Sequence, residues 1–216
     1  MTTLPKQRMK VPEFLAWANE QLDANYELVD GEVVAMAPER LRHKLVEAAV
    51  YRALDDAVKA AGLPCTVFPD GAGVVINDST TRIPDASVQC GLKLNLKSMV
   101  LEAAAKRFCR QMALKLNLKS MVLEAPLIAV EVVSPSSEQQ DLGAKLVEYF
   151  SVSSIRHYLV VVPEKRAVVH HMRNEEGGLS TYIGRNGDIA LNPPGIKVPV
   201  TALVGPSFDE EAEAGQ

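Results

Sequence analysis

Apolar and polar positions follow two different periods along the chain, and these predict its helices and strands. Apolar residues recur at helical spacing in three segments, which are Phe14–Leu22, Arg40–Ala61 and Glu138–Phe150. Strand-like runs occupy six others, which are Tyr26–Met36 (a hairpin around Asp30-Gly31), Val67–Ile76, Ile83–Gln89, Leu127–Val133, Ile155–Val162 and Arg166–Met172. This order of elements predicts an α/β fold with a central mixed β-sheet flanked by helices.

One segment interrupts this pattern between two of the predicted core strands. The twelve residues LKLNLKSMVLEA occur at Leu92–Ala103 and again, identically, at Leu114–Ala125. The repeat indicates a recent duplication, natural or artificial, and the intervening AAKRFCRQMA favours a helix. We therefore expect a duplicated helical insertion at about 92–125. The apolar face of such a helix usually packs on its own domain. The basic residues of this helix leave open a second role, in binding DNA or a second subunit.

Length and charge limit the classes of protein to consider. A chain of 216 residues is long enough for one ordinary globular domain, and we expect a single domain over 1–216. The net charge of −4 gives no basic field over the whole molecule, so a nucleic acid would have to meet a local patch. The N-terminus lacks an apolar targeting segment and the apolar runs are strand-sized, which predicts a cytoplasmic protein with no membrane span. Cys65, Cys90 and Cys109 have no metal-type spacing, so we expect reduced, buried thiols.

A glutamate stands in the most apolar of the predicted strands. Glu131 lies in PLIAVEVV, and strand alternation puts it on the same face as Leu127, Ala129 and Val133. An isolated carboxylate in an apolar interior is costly unless it is paired, protonated or bound to a metal. An edge position or a buried ion pair would also explain it.

A second carboxylate, Asp85 in RIPDASV, can explain Glu131. On its own, Asp85 could be an ordinary turn aspartate after a proline. If Asp85–Gln89 and Leu127–Glu131 pair as neighbouring antiparallel strands, however, the start of one strand meets the end of the other, and the two carboxylates converge. Together with a backbone carbonyl, which we assign to Val132, they form an oxygen-rich site suited to Mg²⁺ or Mn²⁺.

Lys145, in DLGAKLVEYF, is the third candidate. On a helix it lies at the margin of the stripe formed by Leu142, Leu146 and Tyr149, from which its ammonium group can reach inward. The alternative is an exposed lysine paired with Asp141 or Glu148.

These segments, taken together and in order, resemble a known family. The segments YELVDGEVVAMAP, His43, PDASV, IAVEVVSPSS, DLGAKLVEYF and RHYLVVVPE are similar to those of the Uma-type restriction endonuclease family, a branch of the PD-(D/E)XK nuclease superfamily. The resemblance covers roughly Tyr26 to Glu164, apart from the insertion. It implies a restriction-endonuclease-like core.

The resemblance also implies roles for individual residues. In the superfamily, an aspartate and a glutamate on adjacent strands bind the metal, and these match Asp85 and Glu131. The lysine usually found two residues after the glutamate is replaced here by Val133, so Lys145 on the next helix is the matching position. Glu27 matches an acidic position often found near the site, where it would complete the ligands of the cation or hold a second cation. His43 matches a recurring histidine, which a structural role would explain equally well.

Three functions are compatible with these residues. The first is a Mg²⁺- or Mn²⁺-dependent DNA endonuclease, acting as a homodimer because cutting two strands suits a two-fold enzyme. In it, Asp85 and Glu131 hold the cation, Lys145 orients water or stabilises phosphoryl charge, and Ser134, Ser136 and Ser137 cap the next helix. The second is a catalytically silent nuclease fold that binds DNA or protein, which the acidic composition favours. The third is a hydrolase acting on another phosphoester.

Overall fold

The computed structural model describes residues 4–21, 25–91, 120–133 and 142–207. Helices in these ranges are α1 Val11–Ala18, α2 Leu41–Ala60, α3 Leu142–Ser151 and α4 Val200–Leu203, with a 3-10 helix at Pro163–Lys165. Strands are β1 Tyr26–Val29, β2 Glu32–Ala35, β3 Cys65–Pro69, β4 Gly73–Asn77, β5 Thr80–Arg82, β6 Ala86–Cys90, β7 Val122–Leu123, β8 Pro126–Val132, β9 His157–Val162, β10 Ala167–Arg173, β11 Leu179–Gly184, β12 Asp188–Leu191 and β13 Ile196–Pro199.

A six-stranded mixed sheet forms the centre of the fold. Its strand order is β11-β10-β9-β8-β6-β3, in which β8 and β9 run parallel and the other neighbours run antiparallel. Strands β8 and β9 are buried along their whole length. Such strands are expected to be apolar throughout, as PLIAVEV and HYLVVV largely are. The predicted mixed α/β fold is therefore confirmed.

Apolar side chains cover both faces of this sheet. On one face, Val46, Val50 and Leu54 of α2 join a core cluster with Ile128 and Val130 of β8. On the other face, two aromatic residues of α3 pack with Ala129 and Val133 of the same stretch. The helices α2 and α3 thus lie on opposite sides of β8. The end of β8 at Val132 is within reach of both.

A smaller sheet lies beside the central one, with the order β2-β1-β5-β4-β7. It begins with the predicted hairpin, whose turn residues Asp30 and Gly31 have φ of 49° and 85°. Positive φ at both central positions is the geometry that an Asp-Gly hairpin turn requires. Helix α1 covers this sheet through Phe14, which packs in a cluster with Tyr26 and Leu28.

The strand prediction was wrong between Val67 and Asp85. The apolar pattern predicts strands at Val67–Ile76 and Ile83–Gln89, with NDSTT between them. Instead, β3 ends at Pro69, the chain turns through Gly71 with φ of 104°, and β4 joins the smaller sheet. The Thr80–Arg82 segment, predicted to be mostly loop, pairs with β4 as β5. Pro69-Asp70-Gly71 is a turn signal at the point where the two strands separate, and the sequence analysis overlooked it.

The prediction of reduced cysteines was also wrong for two of the three. Cys65 and Cys90 form a disulfide, with their Cα atoms 3.9 Å apart. They are directly opposite in the antiparallel pairing of β3 with β6. They are 25 positions apart along the chain, and spacing alone did not indicate this cross-strand contact. Cys109 lies outside the described residues.

The insertion predicted at about 92–125 lies outside the described residues up to 119, as does its predicted helix. Its final residues form the short strand β7, which runs parallel to β4. The serines at 134, 136 and 137 also lie outside the described residues. In the part of the chain that the structure describes, no helix is both long enough and apolar enough to span a membrane.

Candidate metal centre

The strand pairing predicted around the two carboxylates is confirmed. Strands β6 and β8 are antiparallel, with Ala86 opposite Val130 and Ser87 opposite Ala129. Extending this register by one residue puts Asp85 across from Glu131. Both residues are buried, with relative exposures of 4% and 7%. Two acidic side chains therefore lie next to each other where β6 begins and β8 ends.

Asp85 is fixed at the entrance to β6. Its Oδ2 accepts a hydrogen bond from the backbone N–H of Val132, which joins it to the strand that carries Glu131. Burial raises the pKa of the Asp85 carboxyl well above its usual range, and the nearby negative charge of Glu131 raises it further. Burial and the charge of Glu131 therefore disfavour the ionised form of Asp85, and a bound cation would stabilise that form.

Glu131 has two partners on α3. Lys145 Nζ donates to Glu131 Oε2 at 2.9 Å, and the hydroxyl of Tyr149 donates to Oε1 at 2.7 Å. Burial raises the pKa of Glu131, while the positive charge and hydrogen bond of Lys145 oppose this effect. The structure thus brings Lys145 to Glu131, as its position on the helical stripe suggested. Tyr149 was placed in the apolar stripe, and its hydroxyl was missed.

The predicted face of one β8 residue was wrong, although that of Glu131 was not. Ala129 and Val133 lie in the core cluster on the α3 side, in agreement with simple alternation. Leu127 lies in the cluster on the α2 side instead. The pairing of β6 with β8 shifts register between Val88 and Gln89, and such an irregularity interrupts strict alternation.

A second group of ligand atoms, from α2 and the residues just before it, lies near Asp85. We call Glu39, His43, Glu47 and Asp85 the α2 cluster, whose candidate ligand atoms all lie within 4.8 Å of one another. His43 Nε2 is 3.1 Å from Glu47 Oε1 and 3.8 Å from Asp85 Oδ2. Carboxylates with an imidazole can bind a divalent cation. The sequence analysis named His43 and missed the two glutamates. Glu47 lies four residues after His43 on the same face of α2, whereas Glu39 lies just before the helix begins.

The α2 cluster also has its own positive charges. Lys44 Nζ forms ion pairs with Glu39, with Glu47 at 3.0 Å and with Asp70 at 3.0 Å. The hydrogen bond with Glu47 raises the pKa of His43 against the effect of burial. Burial opposes ionisation of Glu47, but its hydrogen bonds, including those from His43 and Lys44, lower its pKa to about 2. Ion pairs thus balance much of the negative charge of Glu39 and Glu47. The pKa of Asp85, which lies beside Glu131, stays raised.

Glu27 is held by a neighbouring arginine. Arg82 donates from one terminal nitrogen to Glu27 Oε2 at 2.9 Å, and the backbone N–H of Ile83 donates to Oε1 at 2.9 Å. Arg82 also forms a two-point contact with Glu148 of α3, at 2.6 and 2.9 Å. Glu27 contributes to the raised pKa of Glu131, so it lies near enough to act on the site electrostatically. Arg82 was missed by the sequence analysis, although it stands just before the predicted strand containing Asp85.

Comparisons with known proteins bear on the family and the fold of the chain. Residues 11–200 match the model of a family, Uma2, described as "Putative restriction endonuclease". A solved structure from Anabaena variabilis, described as a putative nuclease belonging to DUF820, aligns with a TM-score of 0.61 and 12% sequence identity. The alignment covers 91% of this chain and 97% of that one. At this sequence identity, the similarity supports the fold alone. No curated protein sequence matches the chain.

Proposed function

The chain belongs to the Uma2 family of restriction-endonuclease-like proteins, and on this basis we propose that it is a metal-dependent endonuclease that hydrolyses phosphodiester bonds in DNA. The family and the fold support a nuclease. The requirement for Mg²⁺ or Mn²⁺, the choice of DNA and the endonucleolytic mode of cleavage belong to the proposal.

One observation carries the proposal: two buried carboxylates, Asp85 and Glu131, face each other across neighbouring strands while Lys145 contacts one of them. Buried carboxylates usually have cationic or hydrogen-bonding partners that match their charge. The raised pKa of Asp85 indicates that its surroundings compensate its charge poorly. A divalent cation is the partner that fits a pair of carboxylate oxygens.

The donor set fits a hard cation. Asp85 and Glu131 would supply carboxylate oxygens, and the carbonyl of Val132 would add a backbone oxygen. A bound Mg²⁺ or Mn²⁺ would polarise the scissile phosphate and lower the pKa of a nearby water molecule. Soft ligands are not part of this set, which favours Mg²⁺ or Mn²⁺ over Zn²⁺.

The remaining residues have roles that follow from their contacts. Lys145 holds a positive charge beside Glu131, where it can stabilise negative charge that develops on the phosphoryl oxygens. Tyr149 orients Glu131 through its hydroxyl group. His43 Nε2 lies 3.8 Å from Asp85 Oδ2, and His43 is a candidate for transferring a proton at this site. Glu27, whose oxygens are engaged by Arg82 and Ile83, supports the site electrostatically, and its predicted role as a metal ligand stays a prediction.

Cleavage of supercoiled plasmid and of circular single-stranded DNA, with Mg²⁺, Mn²⁺ or chelator, tests the proposal. Variants of near-constant volume, Asp85→Asn, Glu131→Gln and Lys145→Met, should each lose cleavage. Asp188→Asn, at an exposed carboxylate on β12, is the matched control and should cut like the parent. Cation-dependent activity that persists in Asp85→Asn and Glu131→Gln would reject the site, and a parent inactive with both cations and both substrates would reject the function.

A catalytically silent nuclease fold is the second candidate, and one observation favours it. Both oxygens of Glu131 already have hydrogen-bond donors from α3, so this carboxylate is satisfied without a cation. In that case, the protein would bind DNA or another protein without cutting it. A parent that retards DNA in a gel with or without Mg²⁺, and leaves it intact, would support this alternative.

The predicted cytoplasmic location is also part of the proposal. The Cys65–Cys90 disulfide bears on it, because disulfides are rare in reducing compartments. Mass spectrometry after rapid alkylation of cells would measure the redox state of the two cysteines. Free thiols in both would agree with a reducing cytoplasm, and a stable disulfide would argue for an oxidising location.

A further inference from the structure

Strand β11 forms one edge of the six-stranded sheet. It pairs on one side with β10, from Arg173 opposite Leu179 to Val168 opposite Gly184. No other strand in the described ranges pairs with its outer side. The outward N–H and C=O groups of such a strand can accept a further strand.

This edge lacks the usual protection against pairing. Its sequence, LSTYIG, contains no charged residue and no proline. It carries three of the nine large apolar side chains that are exposed in the described part of the chain, Leu179 at 44%, Tyr182 at 50% and Ile183 at 61%. Natural edge strands are normally kept apart by lysine, proline or short length. The opposite edge strand, β3, does end in a proline, Pro69. An uncharged, apolar edge of six residues therefore indicates an interaction surface.

The charges at the two ends of β11 make this edge complementary to itself. Glu175 and Glu176, both exposed, lie in the turn before the strand, and the exposed Arg185 follows it. Two such strands running antiparallel would bring the arginine of each copy towards the acidic turn of the other. Two parallel strands would instead bring like charges together, which is unfavourable.

We propose that β11 is a homodimer interface, at which two copies of the chain pair antiparallel about a two-fold axis and join their central sheets. An axis at Thr181 keeps side chains of the same face opposite each other, because strand residues two apart share a face. Leu179 of each copy then lies opposite Ile183 of the partner subunit, so two exposed apolar side chains cover each other. This interface does not depend on the proposed function.

The interface rests on a short strand, so the dimer should dissociate at low concentration. Sedimentation velocity of the full chain, over a range from low to high micromolar, measures this. The parent should approach twice the 23.4 kDa mass of one chain. A parent that stays monomeric over the whole range would overturn the proposal.

Paired charge substitutions test the register itself. In the double variant Leu179→Lys with Ile183→Lys, like charges face each other across the axis, and the protein should be monomeric. In Leu179→Glu with Ile183→Lys, opposite charges face each other at the same positions, and dimerisation should return. Because both sites are exposed, neither change should alter thermal unfolding appreciably.

A control and a competing occupant complete the experiment. Val147→Lys, at an apolar residue of α3 that is 71% exposed, should leave the dimer intact. The competing occupant of the edge is the chain's own segment 92–119. If the parent is monomeric and a chain lacking one 22-residue repeat dimerises, that segment covers β11 and the proposed dimer of this chain is wrong. Dimerisation that survives the double lysine variant would likewise place the interface elsewhere.

Discussion

Replacing Glu27 with glutamine should weaken folding much more than it weakens cation binding. Glu27 is 7% exposed and accepts hydrogen bonds from Arg82 and from the backbone of Ile83. The amide oxygen of glutamine can accept one of these hydrogen bonds, but the substitution removes the negative charge beside the buried guanidinium of Arg82. Arg82 itself is only 6% exposed, so solvent does little to replace the lost charge.

The size of the effect follows from these contacts. Removing one partner of a buried ion pair costs about 3–5 kcal/mol. Arg82 keeps its two-point contact with Glu148, which reduces the cost. Since hydrogen bonds to charged groups contribute about 1.5–3 kcal/mol each, we expect a loss of about 2–3 kcal/mol. For a chain of this length, that lowers Tm by about 4–12 °C.

Thermal and urea unfolding, followed by circular dichroism, provide the assay. Glu32→Gln is the matched control, because Glu32 lies on the same hairpin and pairs with Arg8 in solvent. An exposed pair of this kind contributes only about 0–1 kcal/mol. If Glu27→Gln unfolds like the parent but binds Mn²⁺ at least about tenfold more weakly, Glu27 is a metal ligand and the supporting role is wrong.

Three further predictions concern the hydrogen bond from Tyr149 to Glu131, a buried pair of histidines and the disulfide. Tyr149→Phe should lower the free energy of unfolding by about 1–3 kcal/mol, since it removes a buried donor to the glutamate of β8, and an unchanged urea midpoint would contradict that contact. His157 and His170 are hydrogen-bonded at 2.9 Å, and burial lowers the pKa of each to about 4. Because the unfolded histidines bind protons near pH 6.5, stability should fall on acidification through this window, by about 2 kcal/mol per buried histidine from pH 7 to pH 5; a flat profile in urea titrations would refute it. Replacing Cys65 and Cys90 together by alanine should cost about 3 kcal/mol, as expected for opening a loop of this length, and reducing agent should then leave Tm unchanged.

The sequence identified the convergence of Asp85 and Glu131 because that inference needs only strand direction. One carboxylate lies at the start of a strand and the other at the end of its antiparallel neighbour. Pairing of these two strands is therefore enough to bring the carboxylates together. The same holds for Lys145, whose place on a helical stripe sets the direction it points.

Contacts set by the register of distant segments could not be inferred in this way. Arg82 and Glu27 are 55 positions apart, and they meet only because β5 pairs with β1 in the smaller sheet. The Cys65–Cys90 disulfide likewise depends on the exact pairing of β3 with β6. The contact between His43 and Glu47 differs, because their spacing of four residues on a predicted helix was visible in the sequence and was overlooked.

Mn²⁺ binding, followed by the loss of its free electron paramagnetic resonance signal, tests the central claim most directly. We expect the parent to bind the ion, and Asp85→Asn and Glu131→Gln to bind it at least about tenfold more weakly. Glu47→Gln, which changes the α2 cluster alone, should bind like the parent. If Glu131→Gln binds normally while Glu47→Gln does not, the cation belongs to the α2 cluster and the account of the paired carboxylates is wrong.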